Sequence, residues 1–120
     1  MSTIPHRGID ATLYFDAAQP AEERAAHVAH RVSQFRILIE TEHPAVPIFS
    51  SWTEVPDGLA TRNQWDDENR RVSPKSKPSG ILIWCDVRPV RDAEGRATTL
   101  LDVCCRHALL FGVDQTSPFT

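Results

Sequence analysis

The feature that most constrains this chain is a long break in its hydrophobic pattern. Between Thr53 and Ser79 the sequence is almost wholly polar, whereas residues 11–40 and 81–113 on either side can build a core. A polar stretch of that length inside a small domain is typical of a linker or a functional loop. We therefore expect a single domain over residues 1–120, with residues 53–79 as a polar loop or connector that the fold hardly needs.

The composition argues against several classes of protein. The chain has 120 residues, 41% of them hydrophobic, and a net charge of −3, which is typical of a globular protein and disfavours nucleic-acid binding. No apolar run reaches the roughly 18 residues of a membrane span, and the N-terminus lacks a secretory signal. Three cysteines are a poor disulfide framework. We therefore expect a cytoplasmic protein that binds neither nucleic acid nor membrane.

Two elements are predicted before the break. The residues from Asp10 to Phe15 alternate enough to form a first strand, with Leu13 and Phe15 on one face. Pro20 then suits the start of a helix, and Pro44 should end it. Apolar residues recur every three or four positions between these prolines: Ala21, Ala25, Val28, Val32, Phe35 and Ile39. This spacing predicts one long amphipathic helix.

Weaker signals lie beside and inside the break. Residues 45–52 are apolar but interrupted by a proline, which predicts either a short edge strand or a packed loop. The dipeptide Asp57-Gly58 is a turn signal. Thr61 followed by Gln64 resembles a capping box, so residues 62–71 are expected to form a short helix with little apolar surface. Residues 73–79 have the proline, serine and lysine content of a connector.

Strand-like residues follow the break. Residues 81–88 and 98–105 predict a hairpin around a turn at residues 92–95, and residues 108–113 predict a further strand. The competing interpretation is one helix over residues 97–111, which the β-branched residues near its start disfavour. We therefore expect an α+β fold, with an antiparallel sheet of about four strands and one long helix packed on a face.

Two clusters of side chains could support chemistry, but neither forms a diagnostic motif. His27 and His30 lie three residues apart on the predicted helix, and a metal site needs more ligands than this pair offers. Cys105 and His107 would point the same way on a strand, as a nucleophilic pair requires, but small buried cysteines are commoner. We expect no catalytic residues, no metal and no cofactor.

The middle of the break has the composition of a protein interface. Trp65 is followed directly by Asp66, Asp67 and Glu68, and Trp52 lies at the edge of the same stretch. An aromatic side chain amid charges is typical of an interface anchor, and acidic neighbours steer a basic partner. One alternative is a solvated charged face balanced by nearby arginines. Another is that either ring covers the core, which is what we expect of Trp84 in its apolar strand. We predict that these five residues bind a partner protein.

Several groups of residues share their order along the chain with a known family. They are Leu13-Tyr14-Phe15, the helix to Ile39, Phe49-Ser50-Ser51-Trp52, and Ile83-Trp84 with Asp102-Val103-Cys104. This layout, over roughly half of the chain, resembles bacterial immunity proteins of polymorphic-toxin systems, nearest to the immunity protein 52 family. The resemblance implies an α+β protein that neutralises a cognate toxin, often one with a restriction-endonuclease-like domain.

Three functions follow from these observations. The first is an immunity protein that occludes the active surface of a cognate protein toxin, with a nuclease domain as one candidate partner. The second is a small non-catalytic adaptor or subunit of another bacterial assembly, which would use the same surface. The third is an enzyme built on Cys105 and His107. We favour the first, because such a protein needs a stable scaffold and a polar, aromatic-bearing surface but no catalytic residues.

Overall fold

The chain folds as an α+β protein with one long helix, as the sequence predicts. The computed structural model describes residues 14–119. The two α-helices are α1 (Ala21–Glu42) and α2 (Arg62–Asp67). The strands are β1 (Tyr14–Asp16), β2 (Ile48–Phe49), β3 (Leu59–Ala60), β4 (Arg70–Val72), β5 (Gly80–Arg91), β6 (Ala97–Gly112) and β7 (Thr116–Pro118).

The prediction of one long helix between the two prolines is confirmed by α1. It spans 22 residues, and the N–H of Arg24 donates to the carbonyl of Pro20 over 3.0 Å. The helix ends before Pro44, whose ring disfavours helical backbone in the residue before it. The apolar stripe is only partly covered: Ile39 is buried, while Val28, Val32 and Phe35 are half-buried.

The sheet is mixed, so the prediction of a purely antiparallel sheet is wrong. Five strands form it, in the order β1-β6-β5-β2, with β3 also pairing β6. Strand β2 pairs in parallel with β5, with Ile48 opposite Ile81 and Phe49 opposite Leu82. A long helix between two strands returns the chain to the end of the sheet from which it started. The strand after α1 therefore runs in the same direction as the strand before it.

Strand β1 corresponds to the end of the predicted first strand. Phe15 lies opposite Leu101 of β6 in antiparallel register and is buried. Residues 10–13, which include the predicted face residue Leu13, lie outside the described residues.

The turn of the predicted hairpin is confirmed between β5 and β6. The N–H of Gly95 donates to the carbonyl of Asp92 over 3.0 Å, and Gly95 has a φ of 80° that favours glycine. One carboxylate oxygen of Asp92 accepts from the N–H groups of Glu94 and Arg96 over 3.0 and 2.9 Å. These bonds stabilise the tight turn without help from distant residues.

Strand β6 is longer than predicted. It runs from Ala97 to Gly112, so residues 108–113 do not form a separate strand and the alternative helix over residues 97–111 is wrong. No glycine or proline occurs in residues 96–111, so no turn signal interrupts the strand.

By their contacts the residues divide into two compact units. The first contains residues 14–35 and 85–104, and the second contains residues 36–84 and 105–119. Helix α1 and strands β5 and β6 each contribute residues to both units.

In the first unit, His27 and Arg31 are among the α1 side chains that contact the strands. The His27 and Phe15 rings lie with their centroids 4.9 Å apart. Arg31 forms a salt bridge with Asp102 over 3.7 Å and donates to the carbonyl of Val103 over 3.4 Å. Val103 itself is 1% exposed, so the helix covers a buried position of β6.

The second unit contains most of the buried apolar side chains. They are Ile39, Val72, Ile81, Leu82, Ile83, Leu110 and Phe111. Arg36 of α1 donates to the carbonyl of Ile48 in β2 over 3.4 Å. At Gly80 the chain packs so closely that a Cβ atom would lie 2.8 Å from the ring of Phe49. This close approach requires glycine at the start of β5.

Residues 53–79 contain regular elements, although the sequence predicts a loop or connector there. Strand β3 pairs with β6, and strand β4 pairs with β7 in a separate two-stranded sheet. The predicted short helix is present as α2 but ends at Asp67, because Asn69 adopts a left-handed φ of 57°. Val72 of β4 is 3% exposed and so belongs to the core.

Candidate partner-binding clefts around Trp52

Trp52 begins a short 3₁₀ turn, and 49% of its surface is exposed. The turn is held by its own residues: Ser50 N–H donates to the Glu54 carboxylate over 2.6 Å, and the hydroxyls of Ser51 and Thr53 lie 2.7 Å apart. Val55 N–H donates to the Trp52 carbonyl over 3.2 Å. The backbone of Trp52 is therefore held while its indole ring meets solvent, as an interface anchor requires.

Trp65 is held in place by the core. It lies on α2, where Thr61 and Gln64 form the predicted capping box, with distances of 3.2 and 2.9 Å between side chains and backbone nitrogens. The indole N–H donates to the carbonyl of Phe111 over 2.9 Å, and the ring is half-buried. The Arg62 guanidinium also stands over the Phe111 ring, 4.6 Å from its centroid. Trp65 therefore fastens α2 to β6.

Four of the five predicted partner-binding residues border one open cleft. This acidic cleft has a volume of about 630 Å³, and its lining includes Trp52, Trp65, Asp67 and Glu68. Asp66 is exposed on α2 and borders a different, smaller cavity with Arg62 and Arg71. Successive residues of a helix point in different directions, which explains why Asp66 is separated from its neighbours.

The acidic cleft has an excess of negative charge. Asp57, Asp67 and Glu68 line it, and no salt bridge within residues 14–119 includes any of the three. Among the described residues, Arg70 is the cationic member of the lining. It donates through Nε to the Thr116 hydroxyl over 2.6 Å and through Nη2 to the Thr116 carbonyl over 3.3 Å. The Arg70 guanidinium is therefore hydrogen-bonded to β7.

Sequence reasoning missed Asp57 and Arg70 as residues of this cleft. Asp57 precedes Gly58, whose φ of 92° marks the turn that the dipeptide predicts. That turn positions Asp57 in the lining with Asp67 and Glu68, which follow it by ten or more positions in the sequence. A local turn signal was visible, but the convergence with α2 depends on the fold.

Trp84 is also more exposed than its sequence context predicts. Its place in an apolar strand predicts a ring that covers the core, but 40% of its surface is exposed, and this prediction is wrong. Ile81, Leu82 and Ile83 just before it are all buried. The buried part of β5 therefore ends at Ile83, and Trp84 extends the strand toward solvent.

A second cleft also includes Trp52 in its lining. This apolar cleft has a volume of about 340 Å³, and its lining includes Trp52, Trp84, Leu82 and Ala108. The hydroxyl-bearing residues Ser50, Ser51 and Thr61 complete the lining. Trp52 thus lines both an acidic cleft and an apolar one.

The histidines and cysteines considered for chemistry belong to no metal-binding cluster among the described residues. Within residues 14–119, no set of three or more His, Cys, Asp and Glu side chains is placed to hold a metal ion. Cys85, Cys104 and Cys105 are half-buried and form no disulfide. The thiol of Cys104 lies 3.7 Å from a carboxylate oxygen of Asp102.

Comparisons with protein-family models, with curated proteins and with solved structures found no match. The likeness to bacterial immunity proteins therefore stays a prediction from the sequence. Across the described part of the chain, no helix is both long and apolar enough to cross a membrane.

Proposed function

We propose that this chain is an immunity protein, which binds a cognate bacterial toxin and neutralises it by occluding its active surface. The observation that supports this best is the acidic cleft, whose lining combines the half-exposed Trp52 with Asp67 and Glu68. Large aromatic side chains dominate the binding energy of many interfaces, and charged residues around them set partner choice. The resemblance in the sequence supports the same class of function.

The proposed mechanism needs only binding. A toxin that acts on nucleic acid must present basic side chains to phosphate groups, and an acidic surface competes for those side chains. A nuclease domain is therefore the toxin class that we propose as the partner. Electrostatic attraction would raise the association rate, while contacts of the exposed indole would slow dissociation. We propose the cytoplasm as the site of action, since an odd number of cysteines is a poor disulfide framework.

The test is a titration of the purified chain against the toxin domain encoded by the neighbouring gene, with toxin activity measured in parallel. We expect tight binding and loss of activity at equimolar ratio. Trp52→Ala should raise Kd by about thirtyfold, the usual effect of removing an aromatic anchor. Val87→Ala is a matched control, because Val87 is also about half exposed, at 47%, but lies on the hairpin.

The role of the acidic side chains is tested by neutralising two of them, with a control that removes the same charge elsewhere. Asp67→Asn with Glu68→Gln should slow association about threefold to tenfold at low salt and reduce its salt dependence. Glu22→Gln with Glu23→Gln removes the same charge from exposed positions in the first turn of α1. If the toxin domain neither binds nor loses activity, the proposed function is wrong. If both pairs of substitutions slow association equally, the acidic cleft is not the interface.

A further inference from the structure

We propose that the acidic and apolar clefts together bind one extended segment of the partner, in which a basic side chain lies close to a large apolar one. This inference rests on the proposed function only in assigning the segment to a toxin; the pair of side chains follows from the clefts themselves. Trp52 borders both clefts, so a segment that fills them would meet this residue in each.

The apolar cleft fits a side chain rather than a whole folded element. Its volume of about 340 Å³ is at the lower end of the range of about 300–1,000 Å³ for ligand pockets. The buried residue Leu82 lies in its lining, and the residues Trp52 and Trp84 are 49% and 40% exposed. Covering two exposed indoles with an apolar group removes that surface from water, which favours binding.

The acidic cleft favours a positively charged side chain in the bound segment, next to the apolar one. Asp57, Asp67 and Glu68 make no salt bridge within the described residues, and Arg70 is already engaged by Thr116. A positive group entering the cleft would therefore meet an excess of negative charge. A guanidinium suits this place best, because it pairs with carboxylates through several N–H groups and also stacks on an indole face.

The shared residue Trp52 limits how far apart the two side chains can be. Two groups that both contact this residue at about 3.5–4 Å, one in each cleft, are expected to be separated by about 7–8 Å or slightly more. Residues i and i+2 of an extended chain are about 7 Å apart and point to the same side. We therefore expect an apolar residue and an arginine spaced two positions apart in an extended segment.

The experiment uses the full chain labelled with ¹⁵N, because its three tryptophans give three indole N–H resonances. The probe is the capped peptide Gly-Leu-Gly-Arg-Gly, with two matched peptides in which leucine is replaced by serine or arginine by glutamate. We expect the Leu–Arg peptide to shift the Trp52 and Trp84 resonances with Kd of about 1 mM. Each matched peptide should bind about tenfold more weakly. Absence of a shift at about 10 mM, or equal binding of all three peptides, overturns the proposal.

Variants then assign each side chain to its cleft. Trp84→Ala should reduce binding of the Leu–Arg peptide to that of the serine peptide while leaving the serine peptide unaffected. Asp67→Asn with Glu68→Gln should instead remove the preference for arginine over glutamate. Either variant that reduces binding of both peptides equally contradicts the assignment. The peptide comparison on the parent chain remains decisive if a variant does not fold.

These outcomes separate the inference from the proposed function. If the peptide binds the free chain but the toxin domain does not, the two-cleft inference is supported and the immunity function is overturned. Toxin binding that Trp84→Ala leaves unchanged overturns the inference and supports the function. A second copy of this chain in the clefts would appear as concentration-dependent dimerisation in sedimentation, which would also overturn the inference.

Discussion

Replacement of Trp65 separates a structural role from a binding role. The Trp65 indole N–H donates to the carbonyl of Phe111 over 2.9 Å, and Phe111 is fully buried. Trp65→Phe removes this donor and keeps an aromatic ring, so we expect a loss of about 1–2 kcal/mol in the free energy of unfolding. Trp65→Ala also removes the half-buried ring. A fully buried tryptophan contributes about 3–5 kcal/mol in such a substitution, so about 2–4 kcal/mol is expected here.

The measurement is urea unfolding of each variant, followed by far-UV circular dichroism because the substitutions remove a fluorophore. With a denaturant slope of about 2 kcal/mol/M, the middle of the usual range for a small protein in urea, Trp65→Ala should lower the midpoint by about 1–2 M. Trp52→Ala is the control, because that ring is 49% exposed and should contribute under about 1 kcal/mol.

A result for Trp65→Ala within about 0.5 kcal/mol of the parent would refute this reasoning. The ring would then be free to act chiefly as a binding anchor, as the sequence predicts. Trp65→Phe could instead be as stable as the parent while Trp65→Ala loses much stability. That result would assign the effect to packing of the ring and not to the hydrogen bond.

Three further predictions concern stability and are measured by the same unfolding experiment. Ile39→Ala should reduce the free energy of unfolding by about 2–5 kcal/mol, because Ile39 is buried. Phe35→Ala should reduce it by less, because Phe35 is only half-buried, and the reverse order would contradict this burial pattern of α1. Thr61→Ala should reduce the free energy of unfolding by about 1 kcal/mol, because it breaks the capping box. Thr61→Ser keeps the hydroxyl and should retain most of the stability, so equal losses would show that the hydroxyl does not cap α2. Gly80→Ala should lose about 1–3 kcal/mol, because the new Cβ would lie 2.8 Å from the Phe49 ring, and adding Phe49→Leu should recover part of the loss. Unchanged stability of Gly80→Ala would mean that the Phe49 ring moves aside freely.

Part of the candidate site could be predicted from the sequence. Trp52, Trp65, Asp67 and Glu68 were identified from composition alone, and all four border the acidic cleft. The sequence could not reveal that Trp65 is tied to β6, because its hydrogen-bond partner is 46 positions away in the chain. It also could not reveal the apolar cleft, which depends on residues from the 3₁₀ turn, β5 and β6.

The sequence by itself determined the elements whose causes are local. Helix α1 follows from apolar periodicity between two prolines, the hairpin turn follows from Asp92 and Gly95, and α2 begins at a capping box of residues three positions apart. These interactions join residues a few positions apart, so their pattern is visible in the sequence.

Only the tertiary structure decided the direction of β2, the exposure of Trp84 and the meeting of two clefts at Trp52. Strand direction depends on how the chain returns after α1, and exposure depends on which distant residues cover a side chain. A polar segment such as 53–79 can therefore be read as a loop, although pairing of β3 and β4 with the C-terminal strands orders it. The hydrogen bonds of those strands join residues far apart in the chain, and no local pattern encodes them.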